Sequence, residues 1–592
     1  MHEEIGENLT LVESLNELAS LAIATGRPAE ALEHANRALA LASDSRLSNR
    51  LWKSQMVRAD ALAALKRGPE AVEMYQAGID GIEAVRQRTA GGDRSRQMYL
   101  GERSGPYYGL ARLHAEAGRP FDGLLALERA RARTLLDVLA VGPQSNRSLT
   151  PVQQKREREL TQAVISASFE IDSLLSRRKH EESQLKALEQ KLSRARLERD
   201  AYITGLYDST PDLRIARGDA PMVTRQDLAS LVKPSTAIVS IVLDNMQVWA
   251  YVITKGTAGV SVTAHQVKTT SAELAALADQ FAKQVATRDL GFSANARKLY
   301  DQLFVETKIE PLLQGKSQLI MVPEGPLWRV PFQALQTPRE TFLIEERAVS
   351  YAPSVSALAA LDRRRRDREQ RPPYLLALGD PALAERSESR MRGGPVKGRL
   401  PQAAREVKAL GQLYGAERSR VLVAEDATEA ALRENLGRAS VVHVATHGVL
   451  EDLSPMYSHV LLAPRNGAAS DEDGRLEAWE LMNLPLDVDL AVLSACETAR
   501  GPIGDGEGVI GLTWSLFAAG ASTAVVSQWE VDSASTTALM IAFHERLLLS
   551  PRNGRDPVAA PDALRVAALR LMRGAAYRHP FYWAGFVVIG AS

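Results

Sequence analysis

Between residues 10 and 140 the apolar positions are rich in Ala and Leu and lack strand-like alternation, which predicts helices throughout. Residues 151–200 carry a sparser seam. Val164, Ala167, Ile171, Leu174, Leu185, Leu188, Leu192 and Ala195 follow a three-four spacing, and Arg178 and Glu181 interrupt it beside "RRKHEE". That pattern predicts a charged coiled-coil segment, bent back into a hairpin near the interruption, with its charges on a solvated face. From about residue 209 short β-branched runs take over. "TAIVSIVL" (236–243), "MQVWAYVIT" (246–254) and "GVSVTAHQV" (259–267) read as strands, and "QLIMVPEGPLWRVPFQAL" (318–335) as a strand ending in a turn. An arginine-rich stretch, "LDRRRRDREQRPP" (361–373), reads as an exposed boundary. "YLLALGD" (374–380), "RVLVAEDAT" (420–428), "SVVHVATHG" (440–448), "DLAVLSAC" (489–496) and "STAVVSQW" (522–529) follow, with helical segments between most of them. This order predicts an α/β region with a mostly parallel sheet flanked by helices.

The helical region resembles itself. "ATGRPAEALEHANRAL" (24–39), "ALKRGPEAVEMYQAGI" (64–79) and "AEAGRPFDGLLALERA" (115–130) each place a glycine turn before small residues, where a second helix must approach the first closely. Ala31, Ala71 and Gly123 are equivalent, 40 and 52 residues apart. The segments resemble degenerate tetratricopeptide repeats, whose usual period is about 34 residues, with extended helices or insertions. Such helix pairs stack into a solenoid with a concave peptide-binding surface; a plain helical bundle with similar turns is the alternative.

Composition narrows the function. Lys plus Arg number 72, as do Asp plus Glu, and the aromatic content is 5%. Neither favours nucleic acid or a membrane surface as a partner. One cysteine forms no internal disulfide, and no Cys/His cluster suggests zinc, so no metal or cofactor is expected. The N-terminus lacks a signal-peptide pattern, no run of 18 apolar residues exists, and a cytoplasmic protein is the expectation.

The lone thiol, Cys496, closes the apolar run "DLAVLSAC", and His447 closes "SVVHVATHG". In an open parallel sheet functional groups gather at the carboxyl ends of strands, so adjacent strands would bring both side chains to one edge. A free thiol is only about 3% ionised at pH 7 and needs such a partner. Gly448 and the Cys496 amide could then hold an oxyanion. From pattern alone, Cys496 is equally readable as a buried, inert core residue. His443 sits four residues from His447, a same-face separation of about 13 Å on a strand, too far to chelate one ion, and reads as a core histidine or one packed behind the site.

The motifs "HVATHG" (443–448), "LSACETARG" (493–501), "GEGVIGLTWSLFAAGAS" (506–522), "VVSQWEVD" (525–532) and "HPFYWAGFVVIG" (579–590) resemble, in this order, the CHAT domain. "MVPEGPLWRVPFQAL" (321–335) and "AVSYAPSVSAL" (348–358) resemble its amino-terminal half, and "ERARARTLLDVL" (128–139) a repeat-to-linker segment. The resemblance implies a caspase-haemoglobinase fold related to separase, with a catalytic dyad of His447 and Cys496 and an oxyanion role for Gly448. It also implies a division into repeats (1–142), a charged helical linker (143–208), a pseudo-caspase-like half (209–373) and a catalytic half (374–592). The expected activity is that of a cysteine endopeptidase performing regulated limited proteolysis in bacterial stress or defence, for instance of a gasdermin-like pore former. A regulator or substrate is expected on the repeats. The alternative is a catalytically silent scaffold.

Four acidic residues stand out. Asp505 and Glu507 read as helix-start electrostatics or as part of an active-site loop. Glu530 and Asp532 follow the strand "AVVSQW". In separase-like relatives an acidic residue in this tract receives a basic P1 side chain, which makes Asp532 the S1 candidate, with a helix cap as the alternative. Trp583 reads as core. The arginine-rich loop "AERSESRMRGGPVKGR" (384–399) is expected to be a site of self-cleavage if basic P1 residues are accepted.

Overall fold

The computed structural model describes residues 2–44, 48–88, 103–131, single residues and pairs between 135 and 170, 182–209, 222–244, 247–368, 372–383, 398–451, 455–464, 473–495, 503–504, 508–509, 511–549 and 559–591. Cys496, Asp505, Glu507 and most of the loop 384–399 fall outside them.

Each sequence repeat falls on the junction of an antiparallel helix pair: α1 (His2–Ala24) with α2 (Pro28–Asp44), α3 (Ser48–Ala64) with α4 (Gly68–Arg88), and α5 (Gly105–Glu116) with α6 (Pro120–Ala130). The three turns close alike, the amides of Arg27, Arg67 and Arg119 donating to the carbonyls of Ala22, Leu62 and His114. Each needs a left-handed residue, which is glycine in two turns (Gly26, Gly118) and Lys66 in the second. The glycine expected to turn the second pair, Gly68, instead opens α4. Ala31 and Ala71 are fully buried.

Eleven strands form one sheet in the order β3-β2-β1-β4-β5-β16-β15-β12-β8-β6-β7, with β2 at Val248–Gly256 and β3 at Gly259–Val267. Neighbours run parallel except at β1–β2, β2–β3 and β15–β16. The sheet therefore has two parallel wings of opposite direction. One holds β1 (Thr236–Leu243), β4 (Gln318–Val322), β5 (Ala348–Tyr351) and β16 (Phe586–Gly590). The other holds β15 (Thr523–Ser527), β12 (Leu490–Ser494), β8 (Val441–Ala445), β6 (Leu375–Pro381) and β7 (Ser419–Ala424). The last strand in sequence lies in the middle of the sheet and joins the wings. Its residues are all buried, as continuous apolar runs covered on both faces should be.

The arginine-rich stretch is not an exposed boundary. Most of it lies in α7 (Val355–Asp367), whose Arg364 donates to the Phe517 carbonyl. Arg368 reaches Asp487, Asp489, Ser522 and the Gly520 carbonyl at 2.7–3.2 Å, tying the start of the second wing to the first.

The repeats are fused to the first wing through a shared apolar cluster that includes Tyr75, Leu124 and Leu127 beside Ile238, Val242 and Ile320. Polar groups are matched across this junction. The fully buried Glu128 carboxylate accepts from the amides of Val355 and Ser356, placing an anion on the N-terminus of α7. Arg131 donates to Ser240, the Ile241 carbonyl and Glu324, and Tyr108 donates to Glu324 as well.

In the linker, Lys191 pairs with Glu170 at 2.6 Å and Tyr202 donates to the Gln153 carbonyl. Both contacts straddle the interruption at "RRKHEE", as a hairpin requires. One of the linker charges is not solvated: Arg199 is buried, its guanidinium 3.7 Å from the centre of the Trp479 ring. Among the described residues no helix is long and apolar enough to cross a membrane.

Candidate active site

Strands β6, β8 and β12 are adjacent and parallel, and their ends are level. Ala445 pairs with Ser494 on one side and with Gly379 on the other. His447 lies two residues beyond Ala445, and Cys496 two residues beyond Ser494. The Thr446 amide donates to the Ser494 carbonyl at 3.3 Å, continuing the pairing past the strand ends. The Ser527 hydroxyl at the end of β15 donates to the carbonyl of Ala495, anchoring the residue that precedes the cysteine. The neighbouring strands thus fix the backbone at His447 and, on β12, as far as Ala495.

His447 is held at both ends of the residue. Its carbonyl accepts from the Leu461 amide at 2.9 Å, and the Thr446 hydroxyl donates to the Leu461 carbonyl. Its ring Nε2 lies 2.9 Å from the carbonyl oxygen of Gly398. A carbonyl only accepts, so Nε2 carries the hydrogen, and in the neutral ring Nδ1 is the basic nitrogen. Gly448 opens β9 (Gly448–Val449), paired with Val460 of β10 (His459–Leu461), so its backbone is part of a small sheet built beside the site.

His443 is a core residue, as its place in a buried strand predicts, and its partners are polar. Its Nε2 lies 2.8 Å from Glu406 of α8 (Pro401–Tyr414), and its Nδ1 lies 3.1 Å from His544 Nε2. His544, on α9 (Ser533–Leu548), places Nδ1 3.0 Å from the Tyr414 hydroxyl. All four side chains are buried. Burial, followed by the electrostatic influence of His443, pushes His544 well below the ordinary histidine range and keeps it neutral.

Asp532 is the N-cap of α9, its Oδ1 accepting from the Ser535 amide at 2.9 Å. Glu530 is exposed. Trp583 is buried with its ring 5.1 Å from that of Phe342. Two residues at the site escaped the sequence reading, Gly398 and Asp380. Asp380 ends the run "YLLALGD" at the same sheet edge as His447, and that position was the available signal; nothing in the local sequence marks Gly398.

Residues 293–591, just over half of the chain, match the CHAT domain. The chain is a CHAT-domain protein. The domain takes in both wings of the sheet from β4 onward and includes His447 and Cys496. Tetratricopeptide repeat protein 28 of Homo sapiens is 28% identical over 310 residues, 46% of this chain and 12% of that protein. The Mus musculus protein of the same name matches equally, at 28% over 311 residues. The chain thus covers only a small part of these relatives' length. Among solved structures, the Saccharomyces cerevisiae separase–securin complex aligns over 99% of this chain and 53% of that chain, at 9% identity and a TM-score of 0.40. The Arg-specific cysteine proteinase gingipain R aligns over 54% of this chain and 74% of that one, at 12% identity and a TM-score of 0.33.

Proposed function

We propose that this CHAT-domain protein is a cysteine endopeptidase that uses a His447–Cys496 dyad for limited proteolysis of a protein substrate. The observation that carries the reading is the register: residues 447 and 496 each lie two steps beyond a paired residue at the carboxyl ends of neighbouring parallel strands. In this reading Nδ1 of His447 takes the thiol proton as Sγ attacks the scissile carbonyl, and the amides of Gly448 and Cys496 receive the oxyanion. The C–N bond then breaks as the imidazolium protonates the leaving amine. Water, deprotonated by the same imidazole, releases the acyl group and restores the thiol. Asp532 is the S1 candidate for a basic P1 residue; its helix cap engages one carboxylate oxygen. The repeats carry a regulator or the substrate, and bacterial defence is the setting the family suggests.

The test compares wild type with Cys496→Ala on a mixed peptide library, reading cleavage positions by mass spectrometry. Cysteine-dependent cuts after Arg or Lys support the whole reading. Cuts after apolar residues keep the peptidase and remove Asp532 from S1. Absence of cysteine-dependent cleavage, with candidate partners added as well, makes the protein a scaffold.

A further inference from the structure

Asp380 sits where β6 stops pairing regularly. The β6–β7 register shifts between Gly379 and Pro381, and Asp380 takes a φ of +46°, a left-handed conformation that residues other than Gly adopt at a cost, Asn and Asp more readily than most. Gly379 before it admits no Cβ, which would lie 2.7 Å from Val407 and 2.9 Å from the Ala403 carbonyl of α8. The strained residue is nearly sealed from solvent, at 3% exposure. Its carboxylate is fully engaged by one short segment. Arg399 grips it with Nε at 3.0 Å on Oδ1 and Nη2 at 2.7 Å on Oδ2, and the Leu400 amide donates to Oδ1. One peptide upstream of that grip, the Gly398 carbonyl accepts from His447 Nε2.

We propose that Asp380 is a positioning residue for His447, fixing residues 399 and 400 so that the Gly398 carbonyl holds the imidazole in one tautomer and one orientation. The inference rests on the dyad reading. It assigns the orienting part of a triad to a carboxylate that acts through the backbone of a neighbouring segment. The charges around it agree. Burial alone would disfavour the carboxylate, and the Arg399 guanidinium, the Leu400 amide and the nearby His447 outweigh it, so Asp380 titrates below the usual carboxylate range. Among the described residues, Glu425 also acts on Arg399 through its charge.

The single cysteine supplies a readout that needs neither substrate nor activator, because iodoacetamide alkylation of the native full-length chain reports Cys496 alone. The rate is followed from pH 5 to 9 by intact mass. In wild type the apparent thiol pKa is expected below the free value of about 8.5, and His447→Ala should return it there. Asp380→Asn, which suits the left-handed backbone and keeps an acceptor for Leu400, should raise it part of the way, with roughly a tenfold slower reaction at pH 6, where one pKa unit is a factor of ten. Arg399→Gln, at a side chain 54% exposed, should move the profile in the same direction. If His447→Ala leaves the profile unchanged, the dyad fails and this inference with it. If His447→Ala shifts the profile while Asp380→Asn and Arg399→Gln both follow wild type, the dyad stands and the positioning role is overturned.

Discussion

At the scale of single residues, buried charge separates what the sequence displays from what the fold decides. His443 could be placed in the core from its strand alone, but its partners Glu406 and His544 lie 37 and 101 residues away and are joined to it only by packing. Glu480 lies in the first turn of the short helix Ala478–Met482. In the structure burial, followed by the charges of Glu429 and Glu477, pushes its carboxyl up to about 9 from 4.5. A group raised in the folded state binds more protons there than in the unfolded chain between those two values. Its contribution to stability is therefore fully present below pH 4.5 and is lost as pH rises toward 9. Glu480→Gln imitates the protonated form and keeps an acceptor for the Glu477 amide. Thermal unfolding at pH 5, 7 and 9 should show wild type losing Tm across the series and Glu480→Gln losing less. Parallel declines would mean that Glu480 ionises normally.

At the scale of elements, the repeats were legible because helix pairs leave a local signature of turn residues and small side chains. Gly123 was read as a point of close helix approach, and a Cβ there would lie 2.8 Å from the Ala111 carbonyl of α5. What the repeat pattern could not contain is the second neighbour, the Tyr251 hydroxyl on β2 (Val248–Gly256), at 2.7 Å, itself bonded to that carbonyl. Gly81, inside α4, has nothing within 4 Å of its Cβ position. The same substitution should thus have opposite signs. Gly81→Ala should stabilise by about 1 kcal/mol through helix propensity. Gly123→Ala should destabilise by about 1–3 kcal/mol, because the crowding outweighs the propensity gain. Urea midpoints at constant m-value measure both, and a stabilising Gly123→Ala would show that the α6–β2 contact yields at little cost. The arginine-rich stretch failed as a reading for a related reason: a run of like charges normally marks solvent, and here Arg364 and Arg368 meet carbonyls and carboxylates from segments over a hundred residues on.

At the scale of the whole molecule, the α/β alternation announced a mostly parallel sheet, and the strand ends announced where chemistry could gather. The sequence did not announce that the final strand closes the middle of the sheet, or that the repeats share a core with its first wing, since both depend on contacts between distant segments. The junction turns on Arg131 and Glu324, at 2% and 7% side-chain exposure and 2.9 Å apart. A buried pair of this kind gains little over apolar residues of similar size, because desolvation offsets the attraction; losing one partner is a different matter. Arg131→Met leaves the Glu324 carboxylate with only Tyr108 and the Leu243 amide as donors among the described residues, and should destabilise by about 3–5 kcal/mol. Adding Glu324→Gln removes the stranded charge, keeps an acceptor for Tyr108, and should recover most of that loss. Equilibrium urea unfolding of wild type, both single variants and the double variant forms a complete cycle. Strong non-additivity would mean that this pair couples the repeats to the sheet through charge. Losses that simply add would leave the junction to its apolar cluster, with Arg131 serving only its contacts to Ser240 and Ile241.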